Sequence, residues 1–268
     1  MPFDNPAIGM TNEQIMKVAP SVFATGPAPD VSEKYSYLPT YTVLDQLRSG
    51  GMVVASARQG FVKAVSGRAY AIHELRFQKA GSDIANRTKE LGMLTPELIL
   101  RNSHNRTSGF GLQSGFRRLI CMNGATVVDA SLGVRLRHYR CDPSRATDAA
   151  FEIIENFGRV VDKAASWQKV MLTGDQRVAL ARKAVEIRGT SLAIEPGEML
   201  AARRSMDERD DLWSTFNVLQ ENLTNGGTEG RNAKNGVRRL RGIKSLAVDA
   251  DMNRKLWTAA AEFATAVA

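Results

Sequence analysis

Hydrophobic positions alternate with polar ones through much of residues 52–139 and recur every third or fourth residue beyond 146. Alternation marks half-buried strands, and a 3.6-residue period marks helices. Met52 to Arg58 and Arg68 to Phe77 read as two strands, the second with Tyr70, Ile72, Glu74 and Arg76 on one side. A turn at Ser66-Gly67 would join them as a hairpin. Glu97 to His104, after a break at Thr95-Pro96, reads as a third strand. Gly111 to Cys121 fits either period and is assigned to strand. Leu132 to Tyr139 alternates cleanly, placing Arg135, Arg137 and Tyr139 on one face.

Past Pro143 the pattern turns helical. Phe151, Ile154, Phe157, Val161 and Ala164 predict one long helix over 147–171, followed by helices over 175–188, 207–223 and 249–267. Gly226-Gly227 closes the third of these, and a Gly/Asn/Arg-rich linker spans Thr228 to Gly242. Before the sheet, residues 1–40 hold six of the nine prolines and a short helix over 13–18, which describes an extended arm expected to pack either on a neighbouring protomer or on its own body. Thr40 to Arg48 is a short helix ended by Gly50-Gly51. Strands first and helices afterwards predict an α+β fold, with an antiparallel β-sheet in the N-terminal half and a helical C-terminal half. The expected organisation is an arm over 1–40, a β-rich basic region over 41–145 and a helical region over 146–268.

Charge changes this picture by being uneven. The chain carries +8 over its 268 residues, yet residues 58–145 alone carry +9 and the stretch from 225 onward +4. In 58–145, twelve of fifteen basic residues are arginine, which binds phosphate bidentately and stacks on bases. The expectation is a polyanion partner. A GC-rich coding sequence that scatters arginines over a solvated surface is the alternative. The candidate phosphate and base contacts are Arg58, Arg76, Arg101, Asn102, His104, Arg106, Arg117, Arg118, Arg135, Arg137, Arg140, Arg238, Arg239 and Arg241, with Tyr70 and Tyr139 for base stacking.

Other chemistry is sparse. Ser108 to Gly115 resembles a phosphate loop, but the spacing is wrong and no P-loop lysine follows, so a flexible turn explains it better. Asp207, Glu208, Asp210 and Asp211 suit the positive end of a helix more than a metal ion. His73, His104 and His138 fall on three separate strands without metal-ligand spacing, and Cys121 reads as a buried thiol. No catalytic residue, metal or cofactor is assigned. Two cysteines, Cys121 and Cys141, cannot build a disulfide framework, and no apolar run approaches the ~20 residues of a membrane span. The first thirty residues do not read as a secretory leader. A soluble cytoplasmic protein without a membrane partner is expected.

Several stretches resemble a known family. They are Ala19-Pro20-Ser21-Val22-Phe23, Lys34-Tyr35-Ser36-Tyr37-Leu38-Pro39-Thr40, Leu98-Ile99-Leu100-Arg101-Asn102-Ser103-His104, Phe116 to Gly124, Asp211 to Asn222 and Asn253-Arg254-Lys255-Leu256-Trp257. In order and spacing they resemble domain-of-unknown-function family 932, carried by plasmids and prophages. The resemblance implies a mobile genetic element as the setting and supplies no catalytic residue. It departs after His104, where the family's Asp-Gly turn is replaced by Asn105-Arg106. The expected function is single-stranded DNA binding through a basic sheet face, in strand annealing or recombination, by a homo-oligomer that could form a ring or filament. The alternative is an anti-defence or regulatory protein that docks on a host protein or nucleoprotein.

Overall fold

A computed structural model describes residues 9–80, 88–119, 123–126, 133–136, 138 and 143–267. The chain forms two compact units, Met1–Val160 and Val161–Ala268. The first opens with α1 (Asn12–Val18), whose start is fixed by a capping box between Thr11 and Gln14. α2 (Thr40–Ser49) leads into β1 (Met52–Gln59), followed by β2 (His73–Lys79), β3 (Leu94–Asn102), β4 (Phe110–Arg118), β5 (Asn123–Thr126) and β6 (Gly133–Leu136). All pairings are antiparallel, in the order β1-β2-β3-β4-β5, with β6 also on β4. The expected α+β architecture is present.

Period-2 alternation gives this sheet two unlike faces. Val54, Leu75, Phe77, Leu98, Leu100, Phe110 and Leu112 join α2 and α3 (Pro143–Glu155) in one apolar core. The N-terminal arm packs on its own body, since Ile15, Val22 and Leu38 belong to that core. The opposite face carries Arg58, Glu74, Arg76, Glu97, Arg101 and Arg117.

Three local expectations are corrected. Residues 65–70 form a 3₁₀ turn rather than the start of β2, so the β1–β2 connection is a long loop and not a tight turn. Thr95 and Pro96 lie inside β3; β2 pairs with β3 only from Leu98 onward, so the missing proline N–H leaves no ladder partner wanting there. The helix expected over 147–171 is two helices, α3 and α4 (Phe157–Gln168), broken where the Asn156 side-chain amide donates to the Glu152 carbonyl.

The second unit is built around α6 (Leu212–Asn225), buried from Leu212 to Leu223 and flanked by α5 (Gly174–Arg188) and α7 (Leu246–Ala266). Trp167, Phe216 and Trp257 meet edge-on and tilted at 4.4–5.5 Å. The helix expected from Asp207 starts at Leu212, because Asp211 is its N-cap and accepts from the Ser214 backbone N–H at 2.8 Å. The stretch expected as a linker holds a hairpin, β7 (Glu229–Arg231) and β8 (Val237–Arg239). Gly226 ends α6 at φ +69° and ψ −153°, a conformation open only to glycine, with the Leu240 carbonyl where a Cβ would sit. Gly226→Ala is expected to cost about 2–4 kcal/mol, combining backbone strain with overpacking. Urea unfolding followed by tryptophan fluorescence reads this directly, because all three tryptophans lie in the second unit. An unchanged midpoint would refute it.

Candidate functional site

Four of the arginines expected to face a nucleic acid, Arg76, Arg101, Arg117 and Arg118, barely reach solvent. Glu74 accepts from Arg58 at 2.6 Å, Arg76 at 2.9 Å and Arg101 at 2.5 Å. Glu97 accepts from Arg76 at 3.0 Å and Arg117 at 2.7 Å. Both carboxylates and Arg76 are buried, and the side chains of Arg101 and Arg117 are each only 12% exposed. Arg118 is also buried, its Nε donating to the Leu91 carbonyl while its guanidinium lies over Gly92. Strand pairing explains the arrangement. The register sets Glu74 opposite Arg101 and Arg58, and like-facing residues interlock across β1, β2, β3 and β4. Burial alone would raise the Glu74 pKa, but the guanidinia of Arg76, Arg101 and Arg58 more than reverse it and hold the carboxyl well below its ordinary value.

Asn102 at the end of β3 and His104 just beyond it, two more of the expected contacts, are fully buried and belong to a second polar assembly. Gln59 Oε1 accepts from the Ser21 hydroxyl at 2.7 Å, and Ser21 Oγ lies 2.8 Å from His73 Nδ1. His73 Nε2 lies 2.8 Å from Thr40 Oγ1, which accepts from Asn102 Nδ2 at 3.0 Å. Asn102 Oδ1 accepts from the Ser103 backbone N–H and lies 2.9 Å from His138 Nε2, whose Nδ1 is 3.1 Å from the Ser36 carbonyl. Because the Ser21 proton is committed to Gln59, His73 carries its own on Nδ1 and accepts from Thr40 at Nε2. Burial accordingly holds its pKa down at about 3.

The three histidines that looked scattered therefore converge. His104 packs between Tyr37 at 5.0 Å and His73 at 5.2 Å, buried, with the Ser21 backbone near its ring and, among the described residues, no hydrogen bond of ordinary geometry to either ring nitrogen. Its pKa is lowered by burial to about 4. Among the described residues no group of three or more His, Cys, Asp or Glu is placed to hold a metal ion. Three of the sequence stretches singled out above, around Ser21, Tyr35–Thr40 and Asn102–His104, supply this assembly. Sequence spacing gave no hint of it, since Ser21, Thr40, His73 and His138 come from four separate segments.

One end of the assembly opens on a cavity of about 580 Å³ lined by Lys34, Tyr35, Arg106, Ser108, Arg135, Leu136 and His138, among others. Tyr35 stacks on His138 at 4.7 Å and donates to the Ser103 carbonyl at 3.0 Å. Lys34, Arg106 and Arg135 are exposed, and Arg106 pairs with Asp30 at 2.9 Å. Lys34 and Arg135 form no ion pair among the described residues.

The remaining expected cations lie on or beside the β7–β8 hairpin. Arg238, Arg239 and Arg241 are exposed, as are Arg231, Lys234 and Lys244, against a single carboxylate, Glu229. The turn is set by Asn232, whose Oδ1 accepts from the backbone N–H groups of Lys234 and Gly236, and by Asn235 at φ +59°. The dipeptide Asn235-Gly236 is a hairpin signal that the linker reading passed over. Tyr70 is half-buried at the end of the 3₁₀ turn, and its carbonyl accepts from the His104 N–H. Arg137, Tyr139 and Arg140 lie outside the described residues, as do Cys121 and Cys141. Among the described residues no helix is long and apolar enough to cross a membrane.

No solved structure matches the chain. Two proteins of Escherichia coli (strain K12), the UPF0380 proteins YafZ and YfjQ, are each 34% identical to it over 253 residues, covering 94% of this chain and 90% of theirs. The family model described as Domain of unknown function (DUF932) matches residues 29–257, which contain both the histidine assembly, apart from Ser21, and the hairpin. The chain therefore belongs to the DUF932 family.

Proposed function

We propose that the protein binds nucleic acid, single-stranded DNA foremost, and that the β7–β8 hairpin is the element that grips it. The observation that carries this reading is the hairpin's exposed charge, six cations against one carboxylate between residues 229 and 244. An antiparallel ribbon spaces these guanidinia along an edge, where they can follow a phosphate backbone, and half-exposed Val237 adds an apolar contact between them. Internal competition is weak. Arg239 has the Glu229 carboxylate at 3.2 Å, a surface pair of little energetic weight. Arg76, Arg101 and Arg117 act on this reading as scaffold, because phosphate would have to displace buried carboxylates to reach them.

Affinity for a fluorescent single-stranded oligonucleotide should fall steeply with salt, since each neutralised phosphate releases condensed counterion. Replacing Arg238, Arg239 and Arg241 together by Ala should weaken binding ~10-fold or more at low salt and flatten the log–log salt slope by about two. Anisotropy titrations between 50 and 200 mM salt, the range over which such contacts are lost, make the comparison. Wild-type affinity in the triple variant would remove the hairpin from the interface. A flat salt response would remove the nucleic-acid reading itself.

A further inference from the structure

We propose that the cavity bordered by Lys34, Arg106, Arg135 and His138 is a binding site for a free mononucleotide, with the phosphate among the three cations and the base against Tyr35 and Leu136. Three observations converge. The first is size: about 580 Å³ falls within the range of cavities that enclose nucleotide-sized ligands. The second is lining chemistry. Lys34 and Arg135 carry charge with no ion-pair partner among the described residues, and Arg106 is only partly neutralised by an exposed pair with Asp30. Ser108 adds a hydroxyl, while Tyr35 and Leu136 supply a ring and an apolar side chain.

The third is the state of His138. Asn102 Oδ1 is identified by the Ser103 N–H that it accepts, so His138 Nε2 must donate to it. The other nitrogen, Nδ1, also faces an acceptor, the Ser36 carbonyl at 3.1 Å. Both bonds can be made only by an imidazolium. Burial opposes that charge, as do the cations of the cavity; Tyr35, stacked on the ring, is neutral with its pKa raised to about 12 by its own burial. A dianion in the cavity offsets two of its three positive charges, the third being shared with Asp30, and favours the uptake of a second proton by His138. The site is built, and the group it is built to receive is anionic.

The site lies in the first unit and the hairpin in the second, so the two readings fail separately. Isothermal titration of the full chain with adenosine 5′-monophosphate, adenosine and sulfate tests the assignment. The monophosphate is expected to bind, adenosine at least tenfold more weakly, and sulfate more weakly than the monophosphate. Lys34→Ala combined with Arg135→Ala, both exposed and therefore tolerated by the fold, should weaken the monophosphate about tenfold or more, with the unfolding temperature of the free protein unchanged. Sulfate does not titrate near neutrality, so its affinity should rise as pH falls and His138 takes up its proton, and His138→Gln should flatten that dependence. Absence of heat at millimolar monophosphate overturns the proposal. So does equal binding of adenosine, or full affinity in the double variant. The hairpin triple variant should bind the monophosphate as wild type does, whatever it does to DNA.

Discussion

Replacing Glu74 by Gln is expected to destabilise the first unit by about 3–5 kcal/mol, the cost of breaking a buried ion array by removing one partner. Glu74 is the acceptor for three guanidinia, and one of them, Arg76, is itself buried. In the variant, Arg76 and Arg101 lose a negatively charged partner, and Glu97 alone faces the positive potential of the array. The effect depends on pH. A carboxyl whose folded pKa lies below its unfolded value of about 4.3 contributes stability that is present above that value and is lost as pH falls toward the folded one. The gap between wild type and variant should therefore be full at pH 7 and narrower at pH 3. Urea unfolding followed by far-UV circular dichroism is the appropriate measurement, because the first unit contains no tryptophan. A variant within about 1 kcal/mol of wild type at pH 7 would mean that the array is solvated and energetically idle.

Asn102→Ala should be comparably damaging for a different reason. The side chain donates to the Leu38 carbonyl and Thr40 Oγ1 and accepts from the Ser103 N–H and His138. Alanine leaves several of these polar groups buried without partners, at about 1–3 kcal/mol each. A loss of about 3 kcal/mol or more is expected. The imidazole ¹⁵N shifts of His138 should also move toward the Nδ1-protonated tautomer, since its Nε2–H no longer has an acceptor while Nδ1 keeps the Ser36 carbonyl. Asn102→Asp separates the two effects: a carboxylate there keeps both acceptor bonds and should raise the His138 pKa. Unchanged His138 shifts in both variants would break the link between Asn102 and the cavity.

Much of the fold was legible in the pattern of residues, and the reasons for the exceptions are specific. Alternation identified β1, β3 and β4, even where Gly111 to Cys121 fitted either period, and it placed Glu74 and Arg76 on one side of β2. It extended β2 back to Arg68, because a 3₁₀ turn can alternate by chance over a few residues. It ran α3 into α4, because the apolar period continues unbroken through Asn156 while the backbone does not. What a single sequence withheld was strand neighbourhood. Arg58, Arg101 and Arg117 look like free cations until the register brings Glu74 and Glu97 between them. The histidine assembly was hidden for the same reason, being drawn together from an arm, a helix start, three strands and the segment after β6.

The edge of the sheet carries one further consequence. At β1 the Met10 N–H donates to the Val54 carbonyl at 2.8 Å, and pairing with β2 shifts register between Val54 and Ser56. An open edge strand is a template onto which another chain can add, and a plug on its outer rim together with a bulge in its ladder are two ways of spoiling that template. The arm thus acts as a guard against runaway strand addition between molecules, independently of anything the protein binds, and trimming it back past Met10 would remove half of that protection.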